Sequence, residues 1–423
     1  MKRRNVLLGI AGLGVAGAWW ARPGDEGAPY DEYFRTLNAE LQREGPMRPC
    51  MVIDLDRVDH NIGVVTEAIR APRRFRVVAK SLPSIGLLDY VFRKAGTRSL
   101  MAFHQPFLNA EAEAFPDADI LLGKPMPVRA AANFYATLKG GFDPARQLQW
   151  LVDTPQRLAQ YLELAQGLGT KLRANLEIDV GLHRGGVQDS ATLDAMLKTI
   201  AANPQHLEFS GFMGYDPHVV KLPSFAGSVD ELFRKSMAIY QGHVDFLRRE
   251  HAALWNEQLT LNGAGSPTYQ LHRDETLTND LSVGSALVQP TDFDVPTLAA
   301  HRPAAFIATP VLKSAPGLRL PELDALSSLV RWWDPNQRQS YFIYGGYWMA
   351  RYESPSGLRQ SGLYGHSSNQ EIATASAAVG LKVDDHVFLR PTQSEAVLLQ
   401  FGDLIAVRGG RIVERWPVLQ QGA

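Results

Sequence analysis

At 423 residues with 45% hydrophobic side chains, the chain can bury one large core and a second, smaller one, which excludes disorder as its expected state. Its 43 basic and 44 acidic side chains leave a formal charge of -1, too weak a field to gather nucleic acid or an acidic membrane surface, so the expected partner is a small molecule. Cys50 is the only cysteine, which rules out an intrachain disulfide and a thiolate-rich metal cluster.

The first segment has the order of a twin-arginine export leader. Lys2-Arg3-Arg4-Asn5-Val6-Leu7-Leu8 precedes an apolar, glycine-rich stretch running to Ala18. Ala16-Gly17-Ala18 offers the small residues at alternate positions that a signal peptidase accepts, while Trp19-Trp20 suits a membrane interface if the segment stays uncut as an anchor. Residues 1–29 are therefore read as leader and linker. The expected location is the periplasm, with membrane attachment only in the uncleaved case.

Tyr30 to Glu44 reads as an amphipathic helix, and Cys50-Met51-Val52-Ile53-Asp54-Leu55 as a strand that turns into a helix at Asp56. Short β-branched or apolar runs then recur between helical stretches: Phe75 to Ala79, Ser99 to Phe103, Asp119 to Leu122, Gln149 to Val152, Leu172 to Val180, Leu207 to Met213 and Gln258 to Leu261, with Leu281-Ser282-Val283 as a weaker eighth. Strands alternating with helices call for parallel pairing, and eight such units in about 230 residues match a (β/α)8 barrel better than an open sheet. The barrel is assigned to residues 30–295, with 30–55 able to pack on the next domain instead. Residues 296–423 change texture. Phe306 to Leu312, Tyr341 to Tyr347, His386 to Arg390, Ala396 to Phe401 and Leu404 to Arg408 lie between Gly, Pro and Asp turns, the pattern of a mostly antiparallel β domain. Arg408-Gly409-Gly410-Arg411 predicts a hairpin into Ile412 to Trp416.

Barrel active sites lie where the strands end, so the polar residues just past each strand are the candidates. Lys80 closes the buried run Arg76-Val77-Val78-Ala79; it is either a rim lysine that snorkels outward or an amine activated by apolar walls as nucleophile and base. After the fifth strand, Asp179, Gly181, His183 and Arg184 form a polar turn bracketed by glycines, which suits a loop that approaches something closely. After the sixth, Tyr215 is placed to lie against a flat ring and His218 to titrate near neutral pH. After the seventh, Asn262-Gly263-Ala264-Gly265-Ser266 frees backbone N–H groups for one anion, and Gly284-Ser285 after the eighth supplies a second set. A lysine, a polar turn and an anion cradle together specify a phosphorylated aldehyde held covalently.

On these residues, and on the segment Met51-Val52-Ile53-Asp54-Leu55-Asp56-Arg57-Val58-Asp59-His60-Asn61, the chain from about Cys50 to its C-terminus resembles the fold type III pyridoxal-phosphate enzymes. Within them it is similar to the group of D-threonine aldolase and D-serine dehydratase, the amino acid deaminase/aldolase proteins. The resemblance implies that Lys80 carries pyridoxal 5'-phosphate as a Schiff base and that Arg184 hydrogen-bonds its phenolic oxygen. It further implies that Asp179 and Gly181 lead to Arg184, that Gly263, Gly265, Ser266, Gly284 and Ser285 hold the phosphate, and that Tyr215 lines the substrate side. A homodimer paired head to tail is implied as well.

In the metal-dependent members of this group, a histidine and, two residues later, a carboxylate or cysteine bind a divalent ion. Here Pro391-Thr392-Gln393-Ser394-Glu395 puts Gln393 in place of the histidine, and the acidic-histidine stretch before it reads Ser368-Asn369-Gln370-Glu371. An amide oxygen is a poor ligand for zinc or manganese beside imidazole, so the implied metal site, with Gln393 and Glu395 as its positions, is absent or much weakened. Glu395 is left free to serve as a base or to hold a substrate cation. The expected function is a lyase acting on D-configured β-hydroxy amino acids, by deamination or by aldol cleavage. Two alternatives stay open: a racemase with Tyr215 or His218 as second base, and an exported cofactor-binding protein without turnover.

Overall fold

The structure, a computed structural model, describes residues 22–421 apart from 318, 320, 321 and 323; the expected leader over residues 1–18 lies outside the described residues. The described residues form two compact units, one within residues 53–305, 392–406 and 415–421, the other within residues 22–52, 306–391 and 407–414.

A helix over Glu32–Glu44, capped by the Asp31 carboxylate on the Phe34 amide, leads to β1 (Cys50–Asp54). The first unit is built on β2 (Arg74–Val78), β3 (Ser99–Ala102), β4 (Asp119–Leu122), β5 (Leu148–Val152), β6 (Leu172–Glu177), β7 (Leu207–Met213), β8 (Thr260–Gly263) and β9 (Asp280–Val283). These eight strands close into a parallel barrel, with β9 pairing back onto β2. Every barrel run expected from the sequence is a strand of it, including the short eighth. The runs are largely buried on both faces, inside against one another and outside against helices such as Ile85–Ala95, Pro155–Leu168 and Val229–Glu250, which is why they read as predominantly apolar segments. The helix ends are set locally. Gly96 and Gly169 take left-handed C-cap conformations, and Ser228 with Glu231 forms a reciprocal capping box.

The floor of the barrel is polar. Arg76 on β2 is fully buried and grips Asp280 on β9 through two bonds, Nε to Oδ1 at 2.7 Å and a terminal nitrogen to Oδ2 at 2.8 Å. Its remaining donors reach the Leu100 and Asp119 carbonyls at 2.9 Å and the Asp119 carboxylate at 2.5 Å. Asn262 donates to Asp280 at 2.6 Å and to the Ser282 hydroxyl at 2.9 Å, and Gln149 donates to Thr260 at 3.0 Å. Buried charge is tolerated here because the guanidinium and the carboxylates satisfy each other and the surrounding carbonyls.

In the second unit β10 (Ala305–Ala315) pairs antiparallel with β11 (Gln339–Tyr344) and with β15 (His386–Pro391). β12 (Ala350–Ser354) pairs with β15, and β13 (Arg359–Gln360) and β14 (Gln370–Ala375) extend the other side. β16 (Leu404–Arg408) and β17 (Arg411–Trp416) form the predicted hairpin, and Gly409 and Gly410 both take positive φ as its turn requires. Ala396 to Phe401 is corrected: it is a single helical turn, Leu398–Gln400, with Val397 and Leu398 buried, and not a strand. An apolar run this short suits either state, and packing decides between them. The segments 392–406 and 415–421, read with the β domain, group with the barrel instead.

Removing one member of the Arg76–Asp280 pair strands the other in the interior. Asp280→Ala is expected to cost about 3–5 kcal/mol of folding stability, read from urea denaturation midpoints, whereas an exposed pair such as Arg93–Asp89 is expected to cost less than about 1 kcal/mol. Glu177, which ends β6, gives a pH signature. Burial, with a further push from the Asp153 carboxylate, raises its carboxyl to about 7. Between the ordinary carboxyl range and about 7 the unfolded chain binds fewer protons than the folded one, so stability falls as pH rises through that window. Glu177→Gln is expected to flatten this fall, with the variant's denaturation midpoint gaining on the wild type's between about pH 4 and about pH 8.

Candidate active site

Lys80 stands in the short turn Ala79–Ser81 that follows β2. Its ammonium points into a cavity at the strand ends that is lined by Val78, Met101 and Phe103 on one side and by Arg184, Tyr215, Ser266 and Glu395 on others. Lys80 Nζ lies 3.1 Å from Glu395 Oε1 and 4.9 Å from the centre of the Phe103 ring. The lysine is thus turned into the site and not outward along the rim.

The turn after β6 is organised by Asp179. Its carboxylate accepts from the amides of Gly181 and His183 at 3.0 and 2.9 Å, from Gln188 at 3.0 Å, and pairs with His183 Nδ1 at 2.7 Å. Gly186 follows at φ +94°, where a Cβ would fall 2.7 Å from the Asp179 nitrogen, so the loop can fold back this tightly only with glycine. The result is Arg184 carried over the Tyr215 ring, its Cζ 4.9 Å from the ring centre. Burial pushes the Tyr215 phenol above its ordinary range despite the nearby guanidinium, so it keeps its proton at neutral pH and can donate.

The anion cradle takes shape from β8 and β9. Gly265 lies under Tyr215, where a Cβ would come within 2.5 Å of the ring, and Gly284 lies against Val78 at 2.7 Å by the same measure. The Ser266 hydroxyl accepts from the amides of Gly284 at 3.2 Å and Ala286 at 3.0 Å, so two donors of the β9 loop converge on a hydroxyl of the β8 loop. The Gly265 amide is engaged differently, donating to the Thr268 hydroxyl at 3.1 Å. Behind the loop, Asp216 accepts from Thr268 at 2.6 Å and pairs with His272 at 2.8 Å, and His272 in turn meets Thr278 at 3.1 Å, all fully buried. A chain of buried hydroxyls, Ser81 to Ser285 at 3.0 Å and Ser285 to Ser394 at 3.1 Å, ties the Lys80 turn, the β9 loop and the Glu395 segment together. Sequence reasoning missed Ser81, Ser394, Thr268, Asp216 and His272 as supports. Only their closeness to Lys80, Glu395 and the glycine loop hinted at them.

Of the residues singled out in the sequence, Lys80, Arg184, Tyr215, Gly265, Ser266, Gly284, Ser285 and Glu395 line this cavity; Asp179, Gly263, His218 and Gln393 do not. Asp179 shapes the loop that carries Arg184. Gly263 is a packing glycine whose Cβ would meet Thr278 at 2.9 Å. His218 bonds Ser236 at 3.2 Å, and burial pushes its imidazole below the ordinary range. Gln393 is exposed and donates to Asp292 at 3.2 Å. Glu371, in the other unit, is buried and accepts from Tyr352 at 2.9 Å, the Tyr347 amide at 3.1 Å and His366 at 2.8 Å. Among the described residues no group of three or more His, Cys, Asp or Glu is placed to hold a metal ion.

The chain is similar to 3-hydroxy-D-aspartate aldolase of Paracoccus denitrificans (strain Pd 1222), 24% identical over 387 residues that make up 88% of this chain and 92% of the relative. Among solved structures it is similar to D-threonine aldolase from Filomicrobium marinum, with a TM-score of 0.67 and 17% identity over 88% of this chain and 97% of that one. It also shares the fold of alanine racemase from Bacillus anthracis, with a TM-score of 0.65 and 16% identity over 88% and 97% of the two chains. The family model for the alanine racemase N-terminal domain matches residues 53–291, the stretch that holds all eight barrel strands, and the chain belongs to that family.

Proposed function

We propose that the protein is a pyridoxal-phosphate-dependent lyase acting on D-configured β-hydroxy amino acids. One observation carries this reading: the Lys80 amine opens into the cavity whose wall holds Ser266 and the converging amides of Gly284 and Ala286. The residues fit the cofactor. The Gly284 and Ala286 amides already meet at one acceptor, the Ser266 oxygen, so a phosphate oxygen can replace it as their partner, and glycines at 265 and 284 keep side chains out of that space. Curated and structural relatives named as aldolases of D-amino acids support the substrate class.

The bound cofactor supplies an electron sink for the bond that breaks at Cα. Everything else is done by side chains. Lys80 makes the covalent link and, once released from it, is the amine that takes or returns a Cα proton. Arg184, held over Tyr215 by the Asp179 loop, would hold the cofactor ring by donating to its phenolic oxygen. Tyr215 closes the substrate side with a neutral phenol. Loss of the β-hydroxyl as water after Cα deprotonation, followed by hydrolysis, would give a keto acid and ammonia, and removal of the hydroxyl proton with Cα–Cβ cleavage would give an aldehyde and glycine. The leader expected over residues 1–18 extends the proposal to an exported enzyme, and a homodimer is part of the same reading.

Two experiments test it. Purified protein given pyridoxal phosphate is expected to develop a visible absorbance band that Lys80→Ala abolishes. Mixed with a panel of D-β-hydroxy amino acids, the loaded protein is expected to release keto acid or aldehyde. Release of the L-enantiomer alone would identify a racemase, and a spectral change without product would leave a binding protein.

A further inference from the structure

The position that carries an acidic metal ligand in similar enzymes here places a carboxylate on the reactive lysine. Glu395 Oε1 is 3.1 Å from Lys80 Nζ and lines the cavity with Tyr215 and Ser266. Its segment is anchored: the neighbouring Ser394 is fully buried and bonded to Ser285, which bonds Ser81 beside Lys80. Gln393, at the position of the histidine, is turned onto Asp292 and away from the cavity. A site shaped for an ion would bring these two side chains together. This one separates them and points the acid at the amine.

We infer that Glu395 is the base that removes the substrate's β-hydroxyl proton, so that Cα–Cβ cleavage proceeds without a divalent ion. The inference rests on the lyase reading above and selects aldol cleavage within it. A metal would promote the step by acidifying the hydroxyl; a carboxylate promotes it by accepting the proton directly. The O–H proton passes to a Glu395 oxygen, and the oxygen's electron pair becomes the C=O bond of the departing aldehyde. The Cα–Cβ bond breaks and leaves its pair on Cα, which takes a proton from Lys80. Glu395 then returns its proton to solvent or to Lys80. No oxidant or reductant is needed.

The test uses the full, cofactor-loaded chain with Glu395→Gln, which keeps the side-chain shape, and Glu395→Asp, which keeps the charge. Aldehyde release from a D-β-hydroxy amino acid is measured in excess EDTA, and the visible band is recorded to measure cofactor loading. Wild-type release is expected to be unaffected by EDTA, to fall roughly 10²–10⁴-fold in Glu395→Gln, and to survive in part in Glu395→Asp. In Glu395→Gln the visible band is expected to keep its wild-type intensity, because Lys80 and the Ser266 loop that would hold the cofactor are unchanged. Equal cofactor loading of variant and wild type separates a lost base from a lost fold. Wild-type release that is abolished by EDTA and restored by manganese overturns the proposal, as does a Glu395→Gln variant with wild-type release. A wild-type chain with no visible band overturns the cofactor reading itself.

Discussion

The buried pair of Arg76 and Asp280 is the interaction on which the rest of the barrel depends. It joins β2 to β9, the seam where the barrel closes, and its two strands run on directly into the Lys80 turn and the Gly284 loop. The Lys80 turn and the Gly284 loop are therefore held in register by one bidentate ion pair beneath them. Such a pair gives little net stability over an apolar substitute. Its directional bonds do fix geometry, and the extra bonds to Asp119, Leu100 and, through Asp280, Asn262 leave none of its charge unanswered.

Above that floor the site is assembled from loops that would be floppy alone, and each is tied down by a buried polar group behind it. Asp179 gathers the Arg184 loop through backbone amides, the Asp216–His272 pair holds Thr268 under the glycine turn, and the serine chain links the loops bearing Lys80, Ser285 and Glu395. The supporting residues are fully or nearly buried, whereas the groups they present face the cavity. This arrangement keeps reacting groups in place at small entropic cost when a ligand arrives.

The Glu395 segment shows how a shared fold acquires different chemistry. After strand β15 the amide of Gln393 is turned onto Asp292 while the carboxylate of Glu395 stands beside the Lys80 amine, so the cavity receives one acidic side chain from this turn. A fold common to racemases and aldolases does not choose between them. The side chains at the strand ends do.

The sequence by itself determined the barrel and most of its mouth. Eight runs buried on both faces are rich in apolar residues, and such runs are visible in a linear string; lysine, arginine and paired glycines at strand ends are as conspicuous. The structure decided what periodicity does not encode. Strands β12 and β14 carry Arg351, Glu353, Gln370 and Glu371 and are strands only because their partners pair with them, while Ala396 to Phe401 reads as a strand and becomes a turn. Likewise, Asp179, His218 and Gln393 sit beside functional positions in the chain, yet hydrogen bonds to Gly181, Ser236 and Asp292 draw them out of the cavity, and Glu395 reaches Lys80 from 315 residues further along. Local pattern reports which face of an element is buried, but which polar groups meet depends on how distant strand ends are brought together, and that is settled only by tertiary packing.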